Sequence, residues 1–215
     1  MPAFDLGIAS GADGIELDVR LSRDGIVMVH HDRTLTRTTA GSGAVADRSA
    51  SELQRLGVPT LADVLGRHPN TRVIVEMKLN TGAFAQSVVD VVRAAGAVER
   101  VCVGAFGLRG MRALRRIEPR LATSAAREEV RWALYRSWCR WPRRRAPYAG
   151  YQVPEGAGAT RIVSPRFVSD AHSAGLAVHV WTVNLEADAR RLLSWGVDGL
   201  ITDRPDLVAP LVASL

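Results

Sequence analysis

Gly11-Ala-Asp-Gly-Ile-Glu16-Leu-Asp18-Val-Arg-Leu-Ser-Arg-Asp-Gly25-Ile-Val-Met-Val-His30-His31-Asp32 is the stretch on which the reading of the fold turns. A strand sends side chains i and i+2 to one face, so Glu16 and Asp18 in the Ile-Glu-Leu-Asp-Val run share a surface. A Gly-Ala-Asp-Gly turn precedes the run and an Arg-Asp-Gly turn follows it. Ile26–Val29 then reads as a short accessory strand that delivers His30, His31 and Asp32 to its end. Two acids on one strand and an imidazole at the mouth of the next form a candidate site. His30 and His31 are adjacent on extended chain, so they point to opposite sides and only one can face that site.

Outward from this stretch, β-rich runs alternate with segments of helical period. The spacing predicts a helix over Ala3–Ser10, a strand over Gly14–Val19, a hydroxyl- and glycine-rich loop at Thr34–Gly43, and short helices at Ser49–Leu56 and from Thr60, an N-cap. Strand Arg72–Met77 and helix Ala83–Ala95 follow, then strand Val101–Phe106 with helix Leu108–Ile117 and strand Leu121–Ser124 with helix Glu128–Trp138. The last third reads as strand Ala149–Val153 with helix Pro165–Ala174, strand Ala177–Val183 with helix Glu186–Trp195, and strand Asp198–Thr202 with helix Pro205–Val212. Strand-helix alternation with glycine at helix ends argues for an α/β fold with a parallel sheet and right-handed crossovers. Seven such strands are predicted, where a closed (β/α) barrel needs eight; because the chain opens on a helix, the expectation is a barrel lacking its first strand.

Composition narrows the class. With 215 residues, 47% hydrophobic and 23% charged, the chain has the make-up of an ordinary globular protein able to bury a full core, and it is read as one domain over 1–215. No apolar run approaches the ~18 residues that cross a bilayer. The first residues lack the basic start and apolar centre of an export signal. Cys102 and Cys139 are too few and too distant for a disulfide framework, so a reducing cytoplasm is expected. Net charge is +6, and of 28 basic residues only Lys78 is lysine, a skew towards arginine that weakens any nucleic-acid reading of the charge. A flexible ammonium at that one position suggests a task a planar guanidinium does not perform. The run Arg136-Ser-Trp-Cys-Arg-Trp-Pro-Arg-Arg-Arg145 could touch anionic headgroups or nucleic acid, though a solvated loop is the plainer reading.

Six blocks in order then resemble one family, the glycerophosphodiester phosphodiesterases: Gly11–Val19 with Asp24-Gly25; His31-Asp32 with Thr34-Leu35 and Arg37-Thr38-Thr39; Pro59-Thr60-Leu61; Val75-Glu76-Met-Lys78; Val180-Trp-Thr-Val-Asn184; and Gly196-Val-Asp-Gly-Leu-Ile-Thr-Asp203-Arg-Pro205. The resemblance implies a TIM-type barrel that uses a divalent cation, Ca²⁺ or Mg²⁺, to cleave small glycerophosphodiesters to an alcohol and glycerol phosphate. It assigns the metal ligands to Glu16, Asp18 and Glu76, one catalytic histidine to His31, the substrate-binding lysine to Lys78 and a pocket-lining residue to Trp181. Gln152 is a further pocket candidate by its position on a predicted strand. On spacing alone, Glu16 and Asp18 read as solvated strand-end residues paired to arginines more readily than as ligands; the resemblance turns that reading round. His31 reads as a surface histidine bonded to Asp32 if the block match is set aside, and His68, His172 and His179 are read as surface or packing residues.

The family also opens with a strand ending in His-Arg-Gly and a Pro-Glu-Asn-Thr loop, and neither occurs in this sequence. The expectation is therefore of a chain without the partner of His31 in acid-base catalysis, whose gene product begins upstream of Met1. Two other functions stay open at this stage: an inactive relative that binds phosphate ligands, and a phospholipase-like barrel acting at membranes. No nucleic-acid partner, no stable membrane insertion and no oligomeric state are assigned.

Overall fold

A computed structural model describes residues 1–139 and 146–214. In chain order the elements are α1 (Pro2–Ala9), β1 (Gly14–Leu21), β2 (Val27–Val29), α2 (Ala50–Arg55), α3 (Leu61–Arg67), β3 (Arg72–Met77), α4 (Gly82–Ala94), β4 (Val101–Ala105), α5 (Leu108–Ile117), β5 (Ala122–Thr123), α6 (Arg127–Cys139), β6 (Gly150–Pro154), β7 (Gly156–Ala157), β8 (Thr160–Arg161), α7 (Pro165–His172), β9 (Ala177–Trp181), α8 (Glu186–Ser194), β10 (Gly199–Leu200) and α9 (Pro205–Ala213). The α/β alternation read from the sequence is present. The chain divides into two compact units, one of Met1 and Gly14–Ala122, the other of Pro2–Asp13 and Thr123–Leu215.

The first unit is built on a sheet of order β2-β1-β3-β4-β5. β1, β3 and β4 run parallel, while β2 returns antiparallel along β1, with Val19 opposite Val29. That return requires the turn at Gly25, whose φ of +80° a side chain would strain. In β1 the β-branched and aliphatic residues Ile15, Leu17 and Val19 are buried on one face, and in β3 Val73, Val75 and Met77 do the same. The apolar stripe of α4, with Phe84, Val88, Val89 and Val92 all buried, has the 3.6-residue period such a face needs. Glu16, Asp18 and Glu76 sit on the opposite face, half-buried. The excursion between β2 and α3 has a small core of its own, Met28, Leu35, Val45, Leu53 and Val58, so the segment that carries the histidines is packed from beneath. Capping boxes at Ser49 with Glu52 and at Thr60 with Asp63 fix the starts of α2 and α3, Thr60 acting as the expected N-cap.

The second unit holds parallel strands in the order β10-β9-β6, with Gln152 opposite His179 and Pro154 opposite Trp181. Tyr151, Val153, Phe167, Val178, Val180 and Leu192 form the heart of its core. The sequence missed the hairpin β7–β8, in which Gly156 pairs with Arg161: a Gly-Ala-Gly-Ala run has no periodicity to read. β5 and β10 are two residues each, shorter than the predicted Leu121–Ser124 and Asp198–Thr202. Of the basic run, Arg140–Arg145 lie outside the described residues.

Candidate active site: a lysine held between two carboxylates

Parallel pairing of β1 with β3 sets Asp18 directly across from Glu76, and Glu16 across from Ile74 two residues earlier. The register therefore brings carboxylates of two neighbouring strands together near their C-terminal ends. Left alone, two such groups in a half-buried place would repel, and one would take up a proton. Lys78 prevents that. It follows Glu76 by two, its backbone N–H donates to Val19 O at 3.2 Å, and its Nζ donates to Glu76 Oε1 at 2.6 Å and pairs with Asp18 Oδ1 at 2.7 Å. The side chains are 14% (Lys78), 15% (Asp18) and 20% (Glu76) exposed, so the ions face each other with little water between them. Burial works to lower the pKa of the Lys78 ammonium, and the hydrogen bonds it donates to Asp18 and Glu76 outweigh it, holding the group above the ordinary lysine range. The Phe106 ring, just past β4, lies with its centroid 5.5 Å from Nζ, a cation–π distance. Asn80 Oδ1 accepts the Gly110 N–H at 2.6 Å, and a Cβ at Gly107 would overlap the Asn80 carboxamide and force it off that bond.

His30 and His31 part company as extended chain requires. The His30 N–H donates to Asp18 O at 2.9 Å, tying the histidine segment to β1, and its ring is buried with Nε2 3.1 Å from Thr34 O. His31 turns outward. Its Nδ1 lies 2.7 Å from Asp32 Oδ1, and Arg37 grips the same carboxylate from the far side, Nε to Oδ2 at 2.6 Å and Nη2 to Oδ1 at 3.0 Å. The Arg37 and His31 hydrogen bonds hold the Asp32 carboxyl far below the usual carboxylate range. An anionic Asp32 can only accept here, so Nδ1 carries the N–H that donates to it and Nε2 is the ring nitrogen turned away from that bond. Arg20, two residues beyond Asp18, donates from Nε and Nη2 to the His31 carbonyl at 3.0 and 2.8 Å.

Thus Asp18, Glu76 and Lys78 form one cluster, Glu16 shares their sheet face, and His31 stands on the segment bonded to the Asp18 backbone. Trp181 and Gln152 belong to the second unit, both half-buried, at the end of β9 and the middle of β6. Two residues escaped the sequence reading: Arg20, which period two from Asp18 puts on the acidic face, and Phe106, which ends a predicted strand. As donors, hard carboxylate oxygens that already share one cationic centre have the chemistry of a Ca²⁺ or Mg²⁺ site. Among the described residues no group of three or more His, Cys, Asp and Glu is gathered closely enough to hold a metal ion.

Acids at the strand ends, an ammonium between them and a braced histidine together have the charges that a phosphorylated or otherwise anionic small molecule could be set against. The chain belongs to the glycerophosphoryl diester phosphodiesterase family, whose sequence profile matches residues 1–207. It is 34% identical over 224 residues to a Mycobacterium tuberculosis protein named "Probable glycerophosphodiester phosphodiesterase 2", covering 97% of this chain and 82% of the relative. A glycerophosphodiester phosphodiesterase of Caldanaerobacter subterraneus is 28% identical over 98% of this chain and 90% of its own. Among solved structures, the glycerophosphodiester phosphodiesterase of Agrobacterium tumefaciens superposes with a TM-score of 0.73 at 27% identity, over 96% of this chain and 90% of that one. A phosphodiesterase from Oleispira antarctica, solved with its product sn-glycerol-3-phosphate, shares the fold at a TM-score of 0.75 and 22% identity, over 98% and 89% of the two chains. No helix among the described residues is long and apolar enough to cross a membrane.

Proposed function

We propose that the chain hydrolyses small glycerophosphodiesters to an alcohol and sn-glycerol 3-phosphate, at a site where Glu16, Asp18 and Glu76 hold a divalent cation, Ca²⁺ or Mg²⁺, on the strand ends of a TIM-type barrel. The observation that carries the proposal is the ammonium shared between Asp18 and Glu76, since two carboxylates within 2.7 Å of one cationic nitrogen are able to grip a common ion, on which Glu16, on the same sheet face but not gathered with them in this structure, would have to close. Bound there, the ion would polarise the phosphoryl oxygens and stabilise the charge that builds on them. Lys78 Nζ then turns from its carboxylates to a phosphate oxygen, a point charge in a place from which water is largely excluded. Water, or a hydroxyl of the substrate's own glycerol, forms the new bond to phosphorus and loses its proton to solvent, while His31 protonates the departing alkoxide through Nε2 and Asp32, held by Arg37, accepts from the ring's other nitrogen. Arg20 fixes the backbone on which that ring is mounted. Trp181 and Gln152 are assigned to substrate binding, and a raised KM in Trp181→Ala would support the assignment. Cys102 and Cys139, which form no disulfide, fit a reducing cytoplasm.

The family and its named relatives favour this reading over an inactive phosphate binder or a phospholipase. The test is release of glycerol phosphate from glycerophosphocholine by the full chain, with Ca²⁺ or Mg²⁺ added or removed by chelation. Release that disappears with the chelator and in Glu76→Gln, and falls about 10²–10⁴-fold in His31→Ala, is the expected result. Release indifferent to all three, or none under any condition, overturns the proposal.

A further inference from the structure

Helix α6 packs into the core of the second unit by one side. Val130 and Leu134 are buried, Ala133 leans on the same core, and the Ser137 hydroxyl donates to Asp170 Oδ2 at 2.6 Å. The opposite flank carries Trp132, Tyr135 and Trp138, which are 62%, 47% and 61% exposed. Residues three apart on a helix are surface neighbours, so the three rings form one row. Trp132 and Tyr135 meet edge to face, with centroids 6.1 Å apart. Arg131 is exposed in the same row, one turn before Tyr135 and two before Trp138, and Arg127 is exposed a turn earlier. Glu128 is the single acid exposed on this helix. In sequence the charge continues as Arg140-Trp-Pro-Arg-Arg-Arg145.

Large aromatic rings turned to solvent in a contiguous row mark a binding surface. Rings with a polar tip, interleaved with guanidinium groups, match the headgroup zone of a bilayer: the ring bodies enter the acyl boundary, the indole N–H and phenol O–H stay hydrated, and arginine pairs with phosphate. The row lies on the outward flank of a helix, the shape that rests on a flat surface, whereas single-stranded nucleic acid is followed by a groove. The excess of arginine over acid selects a negatively charged surface. We propose that this flank of α6 docks the protein peripherally on anionic lipid, through residues other than those of the hydrolytic site proposed above.

The experiment is sedimentation of the full chain with phosphatidylcholine vesicles, with and without phosphatidylglycerol, at low and high salt, while indole fluorescence is followed. The wild-type chain is expected to bind the anionic vesicles with a blue shift and to release them as salt rises. Trp132→Ala/Trp138→Ala should weaken partitioning by about tenfold or more, and Arg131→Ala by about fivefold. Both variants change exposed residues, so their circular dichroism and their hydrolysis of soluble substrate should match the wild type. Equal binding to neutral vesicles, equal binding by both variants, or no binding overturns the proposal. So does capture of a single-stranded oligonucleotide that the same substitutions abolish, or self-association that salt strengthens and the double variant lacks.

Discussion

Each unit contains a cation gripped by two carboxylates, and the two clusters behave as opposites. In the first, the Lys78 ammonium sits between Asp18 and Glu76 on the sheet face, at 2.7 and 2.6 Å. In the second, Arg191 donates to both oxygens of Glu155 at 2.6 and 2.9 Å and to Asp188 at 2.6 Å, while its guanidinium lies 5.0 Å from the centre of the Trp195 ring. Charge arithmetic is the same. The planar fork of Arg191 is matched bidentately, stacked, and 35% exposed, so it has neither a reason to move nor a partner to exchange for. The ammonium of Lys78 is a compact charge on a flexible stem in a drier place, able to swap one anion for another. The chain uses arginine at every other basic position and lysine at this one.

The largest expected effect comes from removing the exchangeable cation. Lys78→Met should lower kcat/KM for glycerophosphocholine by about 10²–10³ and stability by about 1–2 kcal/mol, seen in steady-state kinetics and a thermal melt. Lys78→Arg keeps the charge but replaces a point with a fork, and its kcat/KM should fall by about tenfold, between Lys78→Met and wild type; full activity would erase the distinction drawn here. Arg191→Met should leave kcat/KM within about twofold and lower the melting midpoint by only about 1–4 °C, the return of a partly exposed ion pair. The smallest effect is on pH. Because the folded protein holds the Lys78 pKa above its ordinary 10.5, the stability the cation contributes is complete below that pH and is lost as pH rises through the higher folded value. The melting-midpoint gap between wild type and Lys78→Met should therefore stay constant from neutrality to pH 10.5 and narrow beyond it; a gap that narrows near neutrality would remove Lys78 from the cluster.

Period-two alternation was enough to predict that Glu16 and Asp18 share a face, and the strand-helix rhythm was enough for the α/β alternation, because both depend on local side-chain pattern. Register was not legible. Nothing in the Arg72–Met77 run says that Glu76 rather than Ile74 will stand opposite Asp18, since that choice is made by the packing of Val73, Val75 and Met77 against distant residues. The inward facing of Lys78 with Glu76 was readable, but its bond across to Asp18 follows from register and so was not. Arg37 appeared in the sequence only as part of a motif, and its grip on Asp32 depends on the fold of the loop between them.

Arg20 carries a consequence for how the site can move. With two of its donors on the His31 carbonyl, and with the neighbouring His30 N–H on Asp18 O, the backbone that carries the imidazole has two anchors on the strand that bears Glu16 and Asp18. These bonds oppose a swing of the histidine as a hinged flap over the strand: under the proposed function, the proton donor and the carboxylates would move together, and differently sized alcohols would have to be accommodated elsewhere.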